Sequence, residues 1–289
     1  MSDTSRPPVA RAAKRLYRGI VGPYVEDQAR AWPGTASDGL ETIRHFHIGD
    51  CNFRRMEYAH DPTAPAGYPL AAAEELLPHG IGVEFSHYFA INFENLPTRE
   101  ELVRRYRLGG PPDVVTVQIG GNYTRWIVIP DTKRTMQLRM ELGRRIGRHN
   151  FAAYRLLHPF TRIFGRAATP YFGSAAFEGF IRMLQDMWPE AHLVVVSPFP
   201  RCHEYPSQRP IARRVDSDVR MVAERCGATL LDGSAILGRD PSLRGATGYN
   251  INSRGAELVG RALADKVLAL NASGARLRDQ AAAGAALSA

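Results

Sequence analysis

The chain has 289 residues, of which 44% are hydrophobic and 23% charged, with a formal net charge of +8. These are globular proportions, and 26 Gly and 20 Pro without a fixed period exclude a collagen-like or low-complexity chain. Three cysteines (Cys51, Cys202, Cys226) are too few and too scattered for a disulfide framework or a zinc ribbon, no apolar run approaches the ~20 residues that span a bilayer, and no apolar segment follows the basic N-terminus as in a secretory signal. A cytoplasmic protein is expected.

Residues 1–40 combine a short basic helix (ARAAKRLYRGI) with a Pro- and Gly-containing linker. The first strand signal is TIRHFHIGD, with apolar Ile43, Phe46 and Ile48 and a stop at Gly49-Asp50. YPLAAAEELL reads as a helix ended by Pro78 and Gly80, IGVEFSHYFAINF as a second strand, and REELVRRYR as a charged helix. Asp113–Ile119 (DVVTVQI) is the strongest strand, a short β-branched run halted by Gly120-Gly121-Asn122 and suited to burial on both faces. FEGFIRMLQDMWP places Phe177, Phe180, Ile181 and Leu184 on one helical face. HLVVVSPFP is a fourth strand, PIARRVDSDVRMVAERCG a helix closed by Gly227 at C′, and ATLLDG a short fifth strand. NSRGAELVGRALADKVLAL is the last helix, and 271–289 an Ala-rich tail.

Strands alternating with helices over 41–270 predict a three-layer α/β/α domain with a five-stranded, mainly parallel sheet. In such sheets chemistry gathers at the carboxyl ends of the strands. Three polar clusters fall there: Gly49-Asp50-Cys51, Gly120-Gly121-Asn122 and Arg201-Cys202-His203. The net charge is local. Residues 131–166 hold nine Lys or Arg, among them Arg144, Arg145 and Arg148, against Asp131 and Glu141. This helical, basic insertion (131–170) follows the Asn122 cluster, where a lid over the site, a contact with an anionic substrate or a dock on an anionic membrane are the functional readings. A solvated, partly amphipathic cover is the plain one. Nucleic acid is not expected as a partner, because the aromatics are not spaced as a stacking platform.

The blocks HIGDCNFRR, VQIGGNYTRW and TGYNINSRGAELVG, in this order and at these strand and helix ends, resemble the G-D-S, G-x-N-D and D-x-x-H-x-N-x-x-G blocks of the SGNH hydrolases. That superfamily is also called GDSL-like esterases and lipases, and the resemblance spans roughly 42–270. It implies acyl-ester chemistry on a small acylated substrate, with no metal and no organic cofactor. It places Cys51 where the family has its nucleophilic Ser, and Asn122 with the Cys51 N–H in the oxyanion hole. Asp50 would hold the nucleophile turn, with Gly121 and Asn250 as further substrate-site positions. The resemblance also implies an oxyanion-hole N–H from a Gly after strand two; no Gly lies there, and Ala90 or Asn92 would offer a backbone N–H instead.

The last block departs from the family. With Asn252 and Gly255 aligned, Thr247 and Asn250 stand where the Asp and the base His belong, and the last His in the chain is His203. A Ser nucleophile without a base would be nearly inert. A thiol has a lower intrinsic pKa and needs less help, and Arg54 and Arg55 follow closely. His203, after strand four, is the candidate base; His47 and His87 are more remote ones. Three readings stay open: an ester or thioester hydrolase or acyltransferase with a cysteine nucleophile, a degenerate binding or regulatory module of the same fold, and a peripheral membrane protein working through 131–166.

Overall fold

In the computed structural model, residues 29–31, 41–49, 67–90, 93, 96–106, 108–124, 126–127, 166–167, 171–200, 208–244 and 251–272 are described. The elements run β1 (Ala29–Ala31), β2 (Glu41–Gly49), α1 (Tyr68–Leu76), β3 (Ile81–Phe89), α2 (Arg99–Arg105), β4 (Val114–Gln118), β5 (Trp126–Ile127), β6 (Arg166–Ala167), α3 (Ala175–Met187), β7 (His192–Val196), α4 (Arg209–Arg225), β8 (Thr229–Leu231), α5 (Gly233–Leu237) and α6 (Ser253–Ala272). The sheet order is β1-β3-β2-β4-β7-β8. Five strands are mutually parallel, as expected from the sequence. The sixth, β1, pairs antiparallel with β3 along one edge, within the stretch read as linker.

Period-two alternation divides the core into two layers. Ile43 of β2, Val114 of β4 and Val194 and Val196 of β7 face one layer, which is closed by α1 and α6. Phe46 and Ile48, Val115 and Val117, and Leu193 and Val195 face the other, closed by α3 and α4. The α3 contribution is Phe177, Phe180, Ile181 and Leu184, the helical face the spacing predicts. Val215, Val219 and Val222 do the same for α4, which ends where Gly227 takes φ +62, a conformation costly for a side chain with a Cβ. Thr98 and Glu101 form a capping box at the start of α2, each side chain bonded to the other's backbone N–H.

The α1–α6 contact is close because both helices carry small residues there. A Cβ on Gly260 would lie 2.6 Å from Ala71 Cβ and 2.8 Å from Ala72 N. The chain before the basic insertion is also tied to the insertion's last residues: β5 and β6 pair antiparallel, Trp126 opposite Ala167 and Ile127 opposite Arg166. Among the described residues no helix is long and apolar enough to cross a membrane.

Candidate active site

Because the chain runs from β2 out to β3 and then crosses back to β4, the direction of winding reverses between β2 and β4. Ligands bind at such a switch point in doubly wound sheets, outside the carboxyl ends of the strands. Here the last residues of the two strands, Gly49 and Gln118, are register partners. The end of β2 at Gly49 and the end of β4, which Gly120 and Gly121 follow, therefore lie on adjacent strands.

Gly49 is fixed by space. A Cβ on it would run into His47 Nε2 and come within 3.1 Å of Gln118 O. After Ile119 the chain turns at Gly120, whose φ of +114 only glycine adopts readily. A Cβ at Gly120 would also press on Val215 Cγ1 at 2.9 Å. A 3₁₀ turn, Gly121–Thr124, follows and contains Gly121 and the Asn122 backbone. It is anchored by Tyr123, fully buried, whose hydroxyl accepts from Phe93 N at 2.7 Å. Ala90 N donates to Gly49 O at 2.9 Å. Two backbone N–H groups of the chain after β3 are thus committed to the fold, and Ala90 N is not available as the oxyanion donor expected after strand two.

Beneath this edge, on the α1–α6 face, lies a buried polar layer. Thr116 Oγ1 is 2.7 Å from His47 Nδ1 and 2.8 Å from His45 Nε2. His47 also stacks on His87, with ring centroids 5.5 Å apart, and meets the edge of Tyr68. Burial lowers the pKa of His45 to about 3. That of His47 is held well below its ordinary value by burial, and then by His87 and His45. Both rings are neutral at pH 7. The Thr116 hydroxyl has one proton, so it donates to one imidazole and accepts from the other. When it donates to His45, His47 donates from Nδ1 and its Nε2, beside Gly49, is the accepting nitrogen.

The C-terminal block has a clear structural task. Asn252 Oδ1 accepts from Gly255 N at 3.0 Å, capping α6, while its Nδ2 donates to Ser242 O and Arg244 O. A Cβ on Gly255 would meet Leu243 O at 2.5 Å, so only glycine fits under that carbonyl. Arg244, 5% exposed, donates from Nη2 to Pro200 O at 2.6 Å and to Gly238 O at 2.9 Å. This guanidinium ties the end of the β7 segment to the chain entering 245–250, and Arg244 pairs with Ile251 on its far side.

Asp50, Cys51, His203, Thr247, Asn250 and Asn92 lie outside the described residues, as do most of the basic insertion and the tail from 273. Of the sequence-derived site, the structure brings together Gly49, Gly121 and the Asn122 backbone. Reading the sequence missed the His45–Thr116–His47 layer and Gln118. Their signal was a polar residue at every second position in two otherwise apolar runs, H-F-H-I and V-T-V-Q-I. No group of three or more His, Cys, Asp or Glu able to hold a metal occurs among the described residues.

The chain is a doubly wound α/β/α protein with a switch point between β2 and β4. No protein-family model matches the sequence, and no curated protein matches it. Among solved structures, the acetylxylan esterase Axe2 from Geobacillus stearothermophilus is similar at 15% identity and a TM-score of 0.45, covering 78% of this chain and 94% of its own. A GDSL-like lipase candidate from Parabacteroides merdae is similar at 14% identity and a TM-score of 0.48, covering 82% of this chain and 98% of its own.

Proposed function

We propose that the protein is an acyl-transfer enzyme of the SGNH type, hydrolysing or transferring the acyl group of an ester or thioester through Cys51. The observation that carries this reading is the register of Gly49 with Gln118. It supports the reading because β2 and β4, whose ends precede Asp50-Cys51 and Asn122 in the sequence, are adjacent at the switch point, and nucleophile and oxyanion donors are needed together. In the reaction the Cys51 thiol gives its proton to an imidazole and the sulfur bonds the carbonyl carbon. The carbonyl π pair moves onto oxygen, facing the Cys51 N–H and the Asn122 amide. Collapse breaks the bond to the leaving alcohol or thiol, which departs with the proton and leaves a thioester on Cys51. Water or an acceptor alcohol then attacks that thioester and restores the thiol.

His203, three residues past Pro200, is the proton acceptor in this scheme. His47 is the second candidate, supported by its Nε2 beside Gly49. Asp50 holds the turn, and Gly121 and Asn250 border the substrate. The surplus of cations in 131–166 is assigned to an anionic group on the substrate or on a surface.

A chromogenic short-chain ester tests this directly. An acyl adduct on Cys51 is expected by intact mass, absent from Cys51→Ala. A Cys51→Ala protein that turns over the ester as fast as the parent overturns the reading. Thiol alkylation that is unchanged in His203→Ala but slowed in His47→Gln moves the base to His47. The degenerate binding-module reading is favoured by one feature, Thr247 and Asn250 in place of Asp and His. Its signature is ligand binding without any adduct.

A further inference from the structure

Gln118 ends β4 at the switch point, and alternation puts its side chain on the same face as Val114 and Thr116. It is fully buried, and among the described residues neither its Oε1 nor its Nε2 has a hydrogen-bond partner. Native folds rarely bury an amide this way, because both groups give up water without replacement. The neighbouring described strands bring no partner to it: His47 Nε2, beside Gly49, makes no bond to the carboxamide. Gly49, its register partner, has no side chain, and β7 presents Val194 and Val196 to this face. The Thr116 hydroxyl is engaged by His45 and His47. Thr116, Tyr68 and Phe199 on this face carry no charge, and the buried guanidinium of Arg244 is engaged by Pro200 O and Gly238 O. The carboxamide is itself uncharged, so a carboxylate or ammonium brought against it would lose hydration and gain no counter-charge from it.

We infer that Gln118 is a specificity residue of the switch-point site, whose carboxamide takes a neutral amide or hydroxyl group of the substrate, donating from Nε2 and accepting at Oε1. This rests on the acyl-transfer reading for the identity of the substrate, but not for the existence of the contact. A residue that serves the ligand at the expense of the free protein has opposite effects on stability and selectivity when made apolar. A residue that is hydrogen-bonded within the protein, for example to a buried water, does not.

The test is Gln118→Met, of similar length and without the amide. The probes are p-nitrophenyl N-acetylglycinate and p-nitrophenyl pentanoate, whose acyl chains are equally long and differ by an amide in place of two methylenes. The ratio of their kcat/KM values in the parent, divided by the ratio in the variant, cancels the intrinsic reactivity of the esters. That quotient is expected to be about ten or more in favour of the amide ester, with the urea midpoint of Gln118→Met at or above that of the parent. A quotient near one, or a lowered midpoint, overturns the assignment. If neither ester acylates the parent, the acyl-transfer reading fails by itself. Gln118 is then judged by N-acetylglycinamide, which is expected to raise the melting temperature of the parent and not of Gln118→Met; equal shifts, or none in either protein, overturn it.

Discussion

Acid is expected to destabilise this protein well before its carboxylates titrate, because the fold holds His45 and His47 as neutral bases. An unfolded histidine titrates near pH 6.5, whereas burial brings folded His45 to about 3 and pushes folded His47 down as well. Below about pH 6.5 the unfolded chain therefore binds more protons than the folded one. Their stabilising contribution is complete above that pH and declines as pH falls toward the folded pKa. His45 alone removes about 1.4 kcal/mol per pH unit, or roughly 2 kcal/mol between pH 6.5 and 5, a sizeable part of the 5–15 kcal/mol typical of a whole domain. His47 adds to this loss with the same sign. His192, whose pKa burial also lowers, acts with the same sign. Asp232 and Asp240 have lowered pKa values too, but their contributions disappear around and below about pH 4, outside this window. Urea unfolding followed by circular dichroism at about pH 7.5, 6 and 5 measures the slope. His45→Gln, which keeps a polar group for Thr116 and cannot take up the proton, is expected to flatten it. A midpoint that does not move between about pH 7.5 and 5, or a His45→Gln protein with the full parental slope, refutes the reasoning.

Thr116→Val leaves His45 Nε2 and His47 Nδ1 without the hydroxyl they share. A loss of about 1–3 kcal/mol by urea unfolding is expected, with Thr116→Ser recovering most of it; equal losses in both would show that the hydroxyl is not what matters. Gly260→Val forces side-chain atoms onto Ala71 and the Ala72 backbone, which costs about 1–3 kcal/mol or more and should lower the calorimetric Tm by several degrees, whereas an unchanged Tm would mean α1 and α6 are not in backbone contact. Asn252→Ala removes the cap on Gly255 N and two bonds to the preceding turn. It should cost at least the ~1 kcal/mol typical of a cap, read as a lowered urea midpoint.

The parts of the fold legible in the sequence are those specified by local periodicity. Five strands and the faces of α3 and α4 were legible because each carries its pattern in a few consecutive residues. β1, β5 and β6 are two or three residues long, and α5 has five, too few for any period to show; β8, as short as β1, was legible only from its place between the α4 helix signal and the Asp232-Gly233 stop. The polar layer was hidden for a different reason. His45 and His47 meet Thr116 across 71 and 69 residues of sequence, so their alternation has meaning only once β2 is known to lie beside β4. The same distinction divides the C-terminal block. Asn252 and Gly255 are required by the fold: one caps α6, and the other makes room for Leu243 O. Thr247 and Asn250 stand at the positions that in the resembling family carry the proton chemistry. A chain can therefore match the N-x-x-G half for structural reasons alone, and that match supports the architecture without supporting the reaction. The proposed reaction rests on the β2–β4 edge instead, where packing accounts for the missing Cβ of Gly49 but not for the orphaned amide of Gln118.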